Sequence, residues 1–267
     1  MTLQEALKKA FGYNSFRPNQ EQACRNLLHG RDQLVILPTG GGKSICYQLP
    51  AILQDGCAIV VSPLIALMRD QIDSLNRHHI PSATINSSLS DPVRRQVLLL
   101  LLRGKLKLLY LSPETLMSPM GDYILSNAKI SFFAIDEAHC ISEWGHDFRP
   151  EYRKIRPVVD EIGRRPIIAL TATATPKVEH DIRKNLGILE GRIFKSSFNR
   201  PNLYYSVEKK GEDVNARIIR FIRKRPNKSG IIYCMSREKV MNLSKLLQMN
   251  GIKALPYHAG LDAKERS

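Results

Sequence analysis

The chain has 267 residues, enough for one large domain or two modest ones, each able to bury its own core. Its 43% apolar and 24% charged residues are the balance of a globular protein and exclude both disorder and a disulfide-stapled miniprotein. The formal charge of +15 is unevenly placed: residues 1–150 hold 15 Lys/Arg against 13 Asp/Glu and residues 151–267 hold 25 against 12, which fits a polyanionic partner of the later half or a solvated lysine-rich surface.

In chain order, the opening stretch MTLQEALKKAFGYN reads as a helix and has no apolar signal core. Apolar strand-like runs then recur at Gln33–Leu37, Ala58–Val61, Leu106–Leu111, Phe132–Ile135 and Ile167–Leu170, separated by helical segments such as Ile45–Leu53, Leu64–Asn76 and Val93–Leu102. Near-continuous apolar strands alternating with helices predict an α/β doubly wound lobe, its parallel sheet covered on both faces and its ligands held where the strands end. The longest apolar run, Val97–Leu102, has six residues, where a membrane span needs about 20. The expectation is a cytoplasmic protein without membrane contact. Phe198–Leu203, with its Asn-Arg-Pro-Asn core, disfavours helix and reads as a linker that closes a first domain at residues 1–202. Beyond it Tyr204–Val207, Ile231–Cys234 and Ala254–Tyr257 read as strands, Val214–Arg223 and Lys239–Asn250 as helices, and another helix starts as the chain ends. Two or three parallel strands make a poor independent core, so residues 203–267 read as an incomplete second lobe of a longer protein. Cys24, Cys46, Cys57, Cys140 and Cys234 show no metal-ligand spacing and are expected as buried free thiols.

The stretch LPTGGGKS, Leu37–Ser44, sits where a strand turns into the helix Ile45–Leu53. A glycine run there lets backbone amides curl around phosphate oxygens at a helix N-terminus, with Lys43 facing the β and γ phosphates and the Ser44 hydroxyl on Mg²⁺. A purely structural glycine turn would not call for the Lys-Ser pair that follows. In SFFAIDEAHC a strand delivers Asp136 and Glu137 to the same sheet edge, where one carboxylate can hold Mg²⁺ and the other can orient water; a solvated acidic turn is the plain alternative. Between Cys140 and Tyr152 lie Trp144, His146, Phe148 and Arg149, aromatics and a cation suited to stacking on single-stranded bases, unless Trp144 packs into a core. Ser62-Pro63-Leu64, Ser112-Pro113-Glu114 and Ser236-Arg237 each end a strand and can hold nucleic-acid phosphates or be ordinary turns.

Together these strings resemble the superfamily 2 nucleic-acid helicases, and the flanking sequence is similar to the RecQ family of DNA helicases. FGYNSFRPNQ (Phe11–Gln20) is similar to that family's motif 0, VVSPLIALMRDQ to motif Ia, YLSPE to motif Ib and CISEWGHDFRPEY to its aromatic-rich loop. TATAT is similar to motif III, IIYCMSR to motif IV and YHAGL to the element after it, so the likeness runs from about Leu3 to Arg266. The resemblance implies a RecA-like P-loop NTPase lobe followed by the first part of a second, with ATP and Mg²⁺ as cofactors. It implies 3′ to 5′ translocation on single-stranded DNA and unwinding of partly duplex DNA in repair and recombination. By resemblance Tyr13 stacks on adenine while Arg17 and Gln20 read its edge, and Thr39, Gly40, Gly41, Gly42, Lys43 and Ser44 hold the phosphates. Asp136 joins Ser44 on the metal, Glu137 positions water, and His139 couples the nucleotide to Thr171–Thr175. Ser62, Arg69, Trp144, His146, Phe148 and Arg149 contact the strand, as do Ser236 and Arg237 from the second lobe. The location implied is cytoplasmic, nucleoid-associated in a bacterium; no protein partner is legible.

Two departures qualify the likeness. Leu37 stands where the usual phosphate loop has its first Gly. The family's motifs V and VI, its four-cysteine zinc element and its winged helix are not among the 267 residues. Arginines brought to the γ-phosphate from across a cleft contribute about 10³–10⁵ in rate, so the expectation is a chain that binds ATP and turns it over poorly. The competing readings are a DEAH-type RNA helicase and a non-catalytic nucleotide-binding module for nucleic acid.

Overall fold

In the computed structural model, which describes residues 2–86, 89–197, 199, 202–211 and 213–262, the first helix is α1 (Leu3–Phe11). Leu3, Ala6, Leu7 and Phe11 fall on its one buried face, Thr2 caps it in a reciprocal box with Glu5, and Gly12 ends it at φ +75°. The chain continues through α2 (Gln20–Leu28), β1 (Gln33–Ile36), α3 (Ile45–Leu53), β2 (Cys57–Val61), α4 (Ile65–Arg77), β3 (Ser82–Ile85), α5 (Asp91–Leu102) and β4 (Leu108–Leu111). It goes on through α6 (Pro113–Leu116), α7 (Pro119–Asn127), β5 (Ile130–Ile135), α8 (Ile155–Glu161), β6 (Ile167–Thr171), α9 (Pro176–Asn185) and β7 (Arg192–Lys195).

The seven strands make one parallel sheet in the order β3-β4-β2-β5-β6-β1-β7. Alternation along each strand divides the core in two. Val35, Val60, Tyr110 and Leu170 pack with α1 to α4, while Ile36, Val61, Leu111 and Ala169 pack with α5, α7, α8 and α9. This is the α/β doubly wound lobe expected from the apolar runs. Five strands lie where those runs placed them, with ends moved by one or two residues; Leu106 and Lys107 precede β4 instead of joining it. β3 and β7 escape a search for apolar runs because they are the two edge strands, half-buried in the middle of β3 and exposed at both ends of β7, and read SATI and RIFK. Inside α3, Pro50 lacks the N–H that would bond the Cys46 carbonyl, and the buried Cys24 thiol lies 3.9 Å from that oxygen.

The chain divides into two compact units, Met1–Arg200 and Pro201–Ser267. The second carries α10 (Val214–Arg223) and α11 (Arg237–Met249). The strands expected at Tyr204–Val207, Ile231–Cys234 and Ala254–Tyr257 are not formed: among the described residues this unit has no strand, and Val207 is 98% exposed. An apolar run becomes a strand only where a neighbour completes its hydrogen-bond ladder, and these three have none. Of the linker expected at Phe198–Leu203, residues 198, 200 and 201 lie outside the described residues, as do residues 263–267, where a further helix was expected.

Candidate nucleotide site and aromatic loop

All the first unit's chemistry-bearing segments leave the carboxyl edge of the sheet. β1 feeds Leu37–Ser44, β5 feeds Asp136 and Glu137, β6 ends in Thr171, and β2 and β4 end in the two Ser-Pro turns. In the glycine loop Gly40 and Gly42 stand at φ +75° and +77°, where an L side chain is strained. A Cβ on Gly41 would lie 2.7 Å from Pro38 O, and one on Gly42 would run into the Gln20 amide. Gln20 is buried and donates to the Gly42 carbonyl at 2.9 Å while accepting from Arg17 N–H at 2.8 Å; the Arg17 guanidinium donates to Gly40 O. α2 therefore braces the loop from behind. Lys43 Nζ donates to Leu37 O at 3.4 Å, and Ser44 opens α3 without using its hydroxyl as a cap. Tyr13 is exposed in the turn after α1, with its ring open to solvent.

Asp136 N–H donates to Val61 O at 2.8 Å, which extends the β5–β2 ladder one residue and holds the carboxylate at the sheet edge. Burial, and then the neighbouring Glu137 carboxylate, push the Asp136 carboxyl up to about 6; the Glu137 N–H, Lys43 and His139 act the other way. Glu137 takes a left-handed backbone at φ +46°, a conformation costly for any residue with a Cβ. The turn aims its carboxylate at His139, whose Nδ1 lies 3.2 Å from Oε2 and 3.0 Å from Thr171 Oγ1. The Thr171 hydroxyl already donates to Thr173 O, so Nδ1 carries the proton and donates to both. That hydrogen bond from His139 holds the Glu137 carboxyl below the usual carboxylate range. The buried Tyr152 donates its O–H to Asp136 O at 2.9 Å, tying the far end of the aromatic loop to the same carboxyl edge.

The loop itself leaves the short 3-10 turn Ala138–Ile141. Trp144 is 65% exposed, which removes the core-packing alternative, and Lys177 Nζ lies 3.2 Å from its ring centroid. The exposed His146 stacks on His139 with ring centroids 4.0 Å apart. Phe148 lies under the Arg153 guanidinium, and Arg149 donates from Nη1 to Pro63 O at 3.2 Å, joining the loop to the turn after β2. Gly145 is required because a Cβ there would strike His139 O.

A DEAD/DEAH box helicase family model matches residues 17–182, a span that contains the glycine loop, both carboxylates and the aromatic loop. The chain belongs to that family. Among curated relatives it is 44% identical to ATP-dependent DNA helicase RecQ of Pasteurella multocida over 99% of this chain and 42% of that protein. It is 43% identical to the RecQ helicase of Bacillus subtilis over 97% of this chain and 44% of that one, and 42% identical to ATP-dependent helicase SGS1 of Saccharomyces cerevisiae over 97% and 19%. This helicase-family chain thus spans less than half the length of those relatives. In fold it is similar to the DUF1998 helicase MrfA bound to DNA and AMPPNP, at TM-score 0.75 and 21% identity over 99% of this chain and 40% of that one. Mycobacterium smegmatis Lhr, bound to ssDNA and AMP-PNP, gives 0.65 and 20% over 100% and 39%. Its fold is that of a RecA-like helicase lobe.

The remaining expected positions are dispersed. Ser62 is buried, at 2% exposure, and presents no surface of its own; Arg69 is exposed on α4. Ser236 and Arg237 lie in the second unit, where the Ser236 hydroxyl caps α11 by accepting from Lys239 N–H at 3.2 Å. Of the five thiols, Cys234 is half-buried instead of buried. Sequence reasoning passed over Gln20's bond to the loop, Tyr152's bond to Asp136 and the role of α9, because none of these long-range contacts has a local pattern. A cavity of about 530 Å³ opens at the opposite, amino edge of the sheet, beside Asp32, Arg164 and Arg192, away from every motif residue. No helix among the described residues is long and apolar enough to cross a membrane.

Proposed function

We propose that the chain is the nucleotide-binding lobe of a RecQ-type ATP-dependent DNA helicase, followed in residues 203–267 by part of a second RecA-like lobe. The reading is carried by one observation: the catalytic-type carboxylate of Glu137, His139 and Thr171 are joined by hydrogen bonds at the root of the aromatic loop, beside the glycine loop. That arrangement supports reading the glycine loop as a phosphate cradle, Glu137 as the base that orients water and the aromatic loop as a stacking surface.

The residues fit a nucleotide and Mg²⁺. The loop can hold this turn only with glycine, since a Cβ at Gly41 or Gly42 would strike Pro38 O or the Gln20 amide, and Mg²⁺ at a nucleotide needs only one or two protein oxygens beside phosphates and water. Thr39 to Ser44 would hold the phosphates, Lys43 would neutralise them, and Ser44 with Asp136 would hold the metal. Tyr13 would stack on adenine; Arg17 and Gln20, whose polar groups hold the glycine loop here, would have to exchange those bonds to read its edge. When bound, Mg²⁺ neutralises charge on the phosphates. Glu137 then orients a water, and His139 links its carboxylate to the segment Thr171–Thr175. Trp144, His146, Phe148 and Arg149 meet single-stranded DNA; Arg69, and in the second unit Ser236 and Arg237, are carried over as DNA contacts from the RecQ likeness, whereas the buried Ser62 side chain offers none. Polarity 3′ to 5′, unwinding of partly duplex DNA, a place in repair and recombination and a cytoplasmic site of action are carried over from the RecQ likeness.

The test is a titration of the chain with a fluorescent ATP analogue and Mg²⁺, alone and with oligo(dT) or oligo(rU). The expected result is tighter nucleotide binding with the DNA strand only, by reciprocal coupling. Equal coupling to both strands would favour a DEAH-type RNA helicase. Nucleic-acid binding without nucleotide binding would leave a plain nucleic-acid module.

A further inference from the structure

Two side chains of α9 that the proposed function does not use, Lys177 and Asp181, both reach the aromatic loop. Four residues apart, they share one helix face. Asp181 Oδ2 accepts from the Ser142 hydroxyl at 2.6 Å, and the Ser142 oxygen accepts in turn from Trp144 N–H at 3.2 Å. Ser142 is fully buried, so this charge-assisted bond fixes the loop at its root. Lys177 sets a cation on one face of the Trp144 ring. With Trp144 65% exposed, the side of the indole away from Lys177 is open to solvent. α9 also starts immediately after the segment that His139 touches: Thr175 caps it, accepting from Val178 N–H at 3.4 Å, four residues beyond Thr171. α9 thus follows, after a four-residue connection, the residue that bonds His139, and itself reaches the Trp144 ring.

We infer that Lys177 and Asp181 are positioning residues for single-stranded DNA: Asp181 anchors the root of the aromatic loop through Ser142, and Lys177 backs the indole of Trp144 so that a base stacks on its open face. The inference rests on the reading of this loop as a DNA contact. Its physical content is preorganisation. An exposed aromatic that must be ordered on binding loses about two- to ten-fold in affinity relative to one already held.

Trp144 is the single tryptophan of the chain, so emission excited at the red edge of the indole absorption, where the nine tyrosines do not absorb, reports on it alone. The experiment titrates the protein with fluorescein-labelled oligo(dT), whose anisotropy measures total binding while tryptophan emission measures stacking. In the wild type, emission is expected to be quenched as the strand binds. Lys177→Met, which keeps the side chain's length without its charge, and Asp181→Asn should lower tryptophan anisotropy before DNA is added. They should weaken the stacking equilibrium about two- to ten-fold while total binding changes less than about two-fold, since phosphate attraction comes from many cations. Lys177→Arg, still a cation over the ring, should restore quenching. If Asp181→Asn does not fold, Lys177→Met decides, because Lys177 is exposed and anchors no core. A quenched wild type with an equally quenched Lys177→Met overturns this inference alone. A wild-type indole that stays unquenched with the oligonucleotide bound overturns the DNA reading of the loop, and this inference with it.

Discussion

Lys43 is the residue whose loss should be most specific. Among the described residues its ammonium donates a hydrogen bond only to the Leu37 carbonyl, at 3.4 Å, and otherwise acts at a distance on the Asp136 and Glu137 carboxylates, so Lys43→Ala removes little that holds the fold. Nucleotide affinity should fall by about 1.5–3 kcal/mol, ten-fold or more, with the thermal transition unmoved; a fluorescent-nucleotide titration beside a melting curve checks both. Glu137 differs because its carboxylate already accepts from His139 Nδ1. Glu137→Gln keeps size and loses charge, so in a protein carrying both lobes turnover should drop by about 10²–10³ while ATP still binds. Unaltered turnover would move the water-orienting role to another group. Burial also decides the thiols. It pushes Cys46 and Cys57 up to about 12, so at neutral pH almost none of either is thiolate, the reactive form. An aromatic disulfide reagent at pH 7 should therefore modify the half-buried Cys234 first, and the four buried cysteines only on unfolding. Raising the pH by a unit should leave those four protected, because their titration lies far above it.

Strands of one sheet are not energetically equivalent, and their place in the order β3-β4-β2-β5-β6-β1-β7 says why. β5 lies between β2 and β6 with Phe133 fully buried, whereas β7 is an edge strand whose Ile193 is only half-buried. Phe133→Ala should cost about 3–5 kcal/mol through lost burial and a residual cavity. Ile193→Ala should cost about 1 kcal/mol. Urea titrations of the two variants separate the cases, and similar midpoints would contradict the sheet order. The glycine loop obeys a different constraint. Its conformation is held by Gln20, the first residue of α2, and by Arg17 in the turn before it, so this turn, helix and loop act as one element.

Stability is concentrated in the first unit. Among the described residues, every buried apolar side chain except Leu247 belongs to Met1–Arg200. Residues 202–211 are exposed and without regular structure. Limited trypsin digestion should leave a resistant fragment ending between about residues 200 and 210, with a thermal transition like that of the whole chain. A resistant fragment that kept α11, or a core cut inside the sheet, would contradict this division. The excess positive charge of residues 151–267 lies partly on that resistant core and partly on the second unit. Single-stranded DNA binding should therefore weaken, without vanishing, when the second unit is removed.

What the sequence determined by itself was whatever is encoded locally. Five interior strands were legible because a strand buried on both faces must be apolar at nearly every position. The glycine loop and Asp136-Glu137 were legible because each is a contiguous string of telling residue types directly after an apolar strand. Tertiary structure alone decided the rest. The edge strands β3 and β7 carry no apolar run and exist because β4 and β1 offer them a ladder. The runs at Tyr204–Val207, Ile231–Cys234 and Ala254–Tyr257 have the right pattern and form no strand, because pattern cannot supply a hydrogen-bonding neighbour. Trp144 read as a base-stacking loop residue with core packing as the alternative, and the fold removed that alternative by placing it outward beneath Lys177. The bonds that join His139 to Thr171 and Ser142 to Asp181 cross 32 and 39 residues of sequence. Contacts at such separations are made by the packing of one sheet edge, and no local pattern of residues encodes them.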